Sequence, residues 1–127
     1  MDEIKNIVDD IGIAALEASV NLAAVAVIAD SGKLIIQTEN WDLTNQTNII
    51  LNVIKGESSF ILSDAEYSVI DRTSQGGIIG TNPSGMGHIL IVPFEGGMLV
   101  SYAMPKADTS KALNFLKTYT PKLNGKI

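Results

Sequence analysis

The chain has 127 residues, 46% hydrophobic and 18% charged content and a net charge of -5, with a pI near 4.6. These values describe one core-rich domain spanning 1–127, large enough to bury roughly two-thirds of its unfolded surface, and they exclude a disordered segment. An acidic chain with nine Lys and Arg has no general pull on nucleic acid or anionic lipid, and without cysteine it forms no disulfide or thiolate metal site, which fits a cytoplasmic setting.

Residues Asp2 to Ser19 predict a helix, with Ile4, Ile7, Val8, Ile11, Ala15 and Leu16 at helical spacing on one face. Asp2 and Glu3 occupy its first turn, where the helix dipole favours acids and a secretory signal would be basic. The apolar run Leu22 to Ile28 turns through Asp30-Ser31-Gly32 into Leu34–Gln37, a hairpin whose glycine supplies positive φ. Thr44 to Ile54 predicts a second helix, capped by Thr44 and stopped by Gly56.

From Ser59 to Pro105 the pattern changes to short apolar runs at 60–62, 67–70, 78–79, 89–92 and 98–102. Turn formers separate them at Ser63-Asp64, Ser74 to Gly77, Asn82 to Gly87 and Glu95 to Gly97, the signature of an antiparallel meander. Asp108 or Thr109 caps a last helix through about Tyr119, with Ala112, Leu113, Phe115 and Leu116 inward and Pro121 ending it. No apolar run approaches the ~20 residues of a membrane helix.

The residues offer little chemistry. His88, the single histidine, begins a strand with no neighbour completing a nucleophile–base pair, and reads as a strand-edge or interface residue. Asp9-Asp10 reads as the solvated face of the first helix, not a metal site. The stretch Gly80 to Gly87 lacks the Lys and the following Ser or Thr of a phosphate loop and leads into a strand, so it reads as an inter-strand loop. No enzyme and no cofactor are expected.

In order and spacing these elements resemble profilin, the small actin-monomer-binding protein. The first helix has Ile7-Val8-Asp9 where profilins have an aromatic, then Val-Asp. The segment Leu22 to Trp41 resembles two profilin strands around an Asp-Gly turn, closing on Asn-aromatic as Asn40-Trp41 does. Phe60-Ile61-Leu62 with Glu66 to Ile70 is similar to the strand pair bearing a Tyr-x-Val-Ile core, and Gly97 to Pro105 to the strand before the last helix. The short loops look archaeal in type. The resemblance implies an α+β fold: a central antiparallel sheet, the N- and C-terminal helices on one face and the short helix on the other.

It also implies a partner, monomeric actin or an archaeal relative, bound at its barbed-end face to control nucleation, nucleotide exchange and elongation. The actin-facing positions it implies are Glu66, Ser68, Ile70 and Arg72, then Gly80 and Asn82, then Gly87, His88 and Ile89, then Lys106, Lys111 and Asn114. Strand alternation puts Glu66, Ser68, Ile70 and Arg72 on one face and Tyr67 and Val69 on the other. A flat face of mixed polarity suits a reversible protein interface; the plain alternative is a solvated sheet face.

Glu66, Asp71, Gly80 and Asn82 stand where basic residues are typical of the family, with Arg72, Lys106 and Lys111 as partial compensation. The positions implied for polyproline binding are Ile4, Ile7 and Ile35, leaving Tyr119 and Trp41 as aromatics, so proline-rich peptides should bind weakly or not at all. A phosphoinositide site would need a basic surface that this composition disfavours. A monomer is expected. Two other readings stay open: a roadblock-type small-GTPase scaffold acting as a dimer, and a ligand-sensing PAS-type module.

Overall fold

A computed structural model describes residues 2–38, 41–73 and 76–127. Asn40 and Ser74, which figured in two of the patterns above, lie outside the described residues. In chain order the elements are α1 (Asp2–Ala18), β1 (Leu22–Ala29), β2 (Leu34–Gln37), α2 (Thr47–Lys55), β3 (Ser59–Leu62), β4 (Ala65–Arg72), β5 (Ile78–Thr81), β6 (His88–Phe94), β7 (Gly97–Ala103), α3 (Thr109–Lys117) and α4 (Thr120–Leu123). The strands form one antiparallel sheet in the order β2-β1-β7-β6-β5-β4-β3.

The expected α+β layout is what forms. Side chains of Val25, Val27, Ile79, Leu90, Val92, Leu99 and Ala103 meet α1, α3 and α4 on one face. Those of Ala26, Ile28, Ile78, Ile89, Ile91, Met98 and Val100 meet α2 and the β3–β4 hairpin on the other. Both layers are apolar, which is why the central strands read as unbroken hydrophobic runs.

Three local expectations are corrected. Leu16 is not inward but 80% exposed; the buried stripe of α1 is Ile4, Val8, Ile11 and Ala15. Thr44 does not cap α2: it stands three residues before the helix, in a local turn where its amide donates to the Asp42 carboxylate at 3.0 Å. The helix starts at Thr47 instead, and the Gln46 side chain ties the Asp42 carbonyl to the Ser63 amide. Pro121 does not end the helical region; it occupies the first turn of α4, where its missing N–H costs nothing.

Other signals hold in detail. Gly32 turns the β1–β2 hairpin at φ +92 and Gly56 closes α2 at φ +131. The Asp108 carboxylate caps α3 by accepting the Lys111 amide at 3.1 Å. Among the described residues no helix is long and apolar enough to cross a membrane, and no group of three or more potential ligands could hold a metal ion.

Candidate functional site

The helix layer covers only part of its face. The helix α1 packs over β1, and α3 and α4 over β6, with Ile79 of β5 still covered, so the β3–β4 end of that face is bare. Register identifies what it presents. Ser68 pairs with Thr81, Thr81 with His88 and His88 with Ala103, one row running from the bare end toward the helices. Glu66 lies two residues before Ser68 on β4, opposite Ile61. Glu66 and Ser68 are exposed, Thr81 and His88 half-buried, and Ile61 is 62% exposed.

His88 joins this row to the chain that enters α3. Its Nδ1 lies 2.9 Å from the Thr81 hydroxyl and its Nε2 3.3 Å from the Pro105 carbonyl. Nε2 has only an acceptor before it, so it carries the proton and Nδ1 accepts from Thr81. The imidazole thereby fixes the segment bearing Lys106, which leads to exposed Lys111 and Asn114 on α3.

The expected alternation along β4 fails after Ser68. A β-bulge leaves Ile70 without a partner, so Val69 pairs with Gly80 and Asp71 with Ile79. Such an extra residue moves every later side chain to the opposite face. Asp71 therefore shares the helix-layer face with Ile79, while Arg72 turns to the α2 side. There its guanidinium donates to the carbonyls of Val53, at 2.9 Å, and Glu57, tying down the C-terminal end of α2.

Gly80, Asn82, Gly87 and Ile89 also belong to the α2 side, and all four are buried. A Cβ on Gly80 would meet the Phe60 ring, and one on Gly87 the Tyr102 phenol. Asn82 shapes the β5–β6 loop: its amide nitrogen donates to the Glu66 carbonyl at 2.7 Å and its oxygen accepts from the Ser84 and Met86 amides. The structure thus gathers Glu66, Ser68 and His88, with exposed Ile70, Lys106, Lys111 and Asn114, and holds Arg72, Gly80, Asn82, Gly87 and Ile89 apart from them. Sequence reading missed Thr81 and Ile61; counting alternation back from His88 and Glu66 across the sheet would have found both.

The positions compared with a polyproline groove do not form an aromatic platform. Ile4 is buried, Ile7 and Ile35 are half-buried against the helix-side core, and the Tyr119 ring rests on Phe115 with the Lys122 ammonium 4.9 Å from its centre. Trp41 belongs to the opposite face, where with Tyr67, Met86 and Tyr102 it lines a cleft of about 310 Å³. Burial there, with Tyr102 alongside, holds the Tyr67 phenol above its usual pKa.

Charge on the helix-layer face falls in bands. Residues 104–127 contain Lys106, Lys111, Lys117, Lys122 and Lys126 against Asp108 alone. On one side stand Glu3, Asp9, Asp10 and Glu17 of α1 against Lys5, with Lys5 paired to Asp9 at 2.8 Å and Glu3 to Lys126 at 2.6 Å, and on the other Glu66 and Asp71.

These features define an α+β protein whose candidate contact region is an open sheet surface beside a lysine-bearing helix. No protein-family model matches the chain. It is 32% identical to Loki profilin-2 of Lokiarchaeum sp. (strain GC14_75) over 96% of each chain, and 36% identical to Odin profilin of Odinarchaeota yellowstonii over 72% of this chain and 76% of that one. Its fold matches the structure described as a LokiProfilin2/Rabbit Actin Complex with TM-score 0.86 and 31% identity, covering 100% of this chain and 99% of the other. Acanthamoeba castellanii profilin IB, 16% identical, shares the fold at TM-score 0.70 over 86% and 90% of the two chains. The chain belongs to the profilin family, as a divergent member of archaeal type, and the roadblock and PAS-type readings fall away.

Proposed function

We propose that the protein binds monomeric actin through the bare end of its helix-layer face, using Glu66, Ser68, Ile70 and His88 together with Lys106, Lys111 and Asn114. The observation that carries the reading is the end-to-end match, at TM-score 0.86, to a Loki profilin whose structure is a complex with rabbit actin. The open end of the sheet supports it: exposed at Glu66 and Ser68, half-buried at Thr81 and His88 and of mixed polarity, it suits a reversible interface of standard size, roughly 800 Å² on each partner. Gly80, Asn82, Gly87 and Ile89 serve this surface from beneath, and Arg72 serves it by fixing α2.

Occupying the barbed-end face blocks the contacts from which a nucleus grows, while a bound monomer can still join an existing barbed end. The same contact can alter exchange of the nucleotide held by actin. Titrating the protein into pyrene-labelled actin, archaeal and animal, tests the reading: the lag lengthens with dose at one-to-one stoichiometry. An unchanged lag at large excess over both actins overturns it.

A further inference from the structure

The outer edge of β3 carries main-chain groups that no other described residue uses. Ser63 and Asp64 have φ of 50 and 67, a type I′ turn, so Leu62 and Ala65 close the hairpin as a hydrogen-bonded pair. Such pairs alternate along an antiparallel ladder, so Phe60 and Tyr67 form the next one. The bond from the Val69 amide to the Ser58 carbonyl, 2.8 Å, continues the series. The N–H and C=O groups of Ser59 and Ile61 therefore point away from β4. The strand β3 is last in the sheet, and no hydrogen bond to these groups occurs among the described residues.

Beside this edge is a cleft of about 430 Å³ lined by Ile49, Asn52, Glu57, Phe60, Ile61 and Glu66, with Ser59 at its rim. Ile49 and Phe60 give it an apolar floor, and Glu57 and Glu66 put carboxylates against it. The hairpin around it is anionic: from 57 to 72 the chain has Glu57, Asp64, Glu66 and Asp71 against Arg72, whose guanidinium is turned onto the α2 carbonyls. An open strand edge, an apolar cleft and facing carboxylates meet in one place.

We propose that the edge of β3 takes up an extended basic segment of a partner protein as an added strand. The Ser59 and Ile61 main-chain groups give it register, the cleft takes an apolar side chain, and its Lys or Arg residues pair with Glu57 and Glu66. Main-chain bonds supply affinity in such strand addition, and side chains supply selectivity. The charge decides the occupant: an acidic segment is repelled, and a second copy of this anionic hairpin repels its twin. Glu66 also lies on the surface proposed above for actin, so the two sites share a rim; the test contains no actin, and its outcome leaves that reading untouched.

The experiment titrates the peptide Ac-Lys-Val-Lys-Val-Lys-NH2 into nitrogen-15-labelled protein and follows amide shifts and hydrogen exchange. Saturable shifts centred on Ser59 and Ile61, with slowed exchange of both amides, are expected. The counterpart with Glu for Lys should produce neither. Ile61→Pro removes an amide that faces outward, a change edge strands tolerate, and should weaken binding roughly tenfold or more. Glu57→Lys with Glu66→Lys alters only exposed side chains and should do the same should the proline variant fail to fold. No saturation by about 10 mM peptide, equal binding of the acidic counterpart, or shifts centred elsewhere would overturn the proposal, as would concentration-dependent shifts of Ser59 and Ile61 without peptide.

Discussion

The two ends of the sheet are built on different rules. Around β1 and β7 both faces are covered, and every residue from Ala24 to Ala29 and from Gly97 to Ser101 is buried. At the β3–β4 end one face is open: β3 alternates exposed and buried residues, and β4 does so until its bulge. The same backbone ladder thus supports a core at one end and a surface available for contact at the other. An enclosed strand is constrained in volume on both sides, whereas a half-open strand is constrained only through its inward residues.

That contrast can be broken most severely by substitution at the enclosed end. Leu99→Ala removes a side chain that has no exposure, and should cost about 2–5 kcal/mol in a urea melt. Ile61→Ala at the open end should stay within about 0.5 kcal/mol. Equal losses would mean the open end is enclosed in solution. Next in size is Lys111→Glu, which places an acid on the exposed side of α3. It should weaken actin binding by roughly 1–3 kcal/mol and leave the melting temperature unchanged. A lower melting temperature with unaltered affinity would assign Lys111 to the fold.

A smaller gain is available in the β3–β4 turn, where two non-glycine residues adopt positive φ. Replacing Ser63 with Asn and Asp64 with Gly matches the preference of a type I′ turn and should raise stability by about 0.5–1 kcal/mol in thermal melts. The smallest expected response is to decaproline. Isothermal calorimetry should show no saturable binding tighter than about millimolar, because isoleucines offer no ring or donor to an extended proline helix. Trp41 fluorescence is the wrong probe for this groove, since the indole belongs to the opposite face.

Much of this architecture is legible from the sequence because its elements carry local chemistry. The Gly32 turn, the Gly56 stop and the Asp108 cap are each set by residues within one turn of where they act. Site residues were harder to read because strand parity is non-local. Nothing in the run from Ala65 to Arg72 announces that Ile70 is extra; only pairing with β5 shows it, and that single residue separates Arg72 from Glu66 and Ser68. The same parity set aside Gly80, Asn82, Gly87 and Ile89, which neighbour Thr81 and His88 in sequence but face the other way. Leu16 failed for a different reason: at about 3.6 residues per turn it stands roughly 100° round the helix from the centre of the buried Ile4–Val8–Ile11–Ala15 stripe, at the margin that solvent keeps.

The lysine band between its two acidic flanks bears on how copies of this molecule meet. A two-fold contact through the helix-layer face would stack band on band, cation over cation and carboxylate over carboxylate. With the axis passing through the lysine band, along it or across it, that pairing is repulsive, so the banding should disfavour this mode of self-contact. Dissolved salt removes that repulsion, since exposed charges lose sight of one another beyond a screening length of about 10 Å at 0.1 M and 3 Å at 1 M. Concentrated salt, which loosens most charged assemblies, should draw this protein's own copies together.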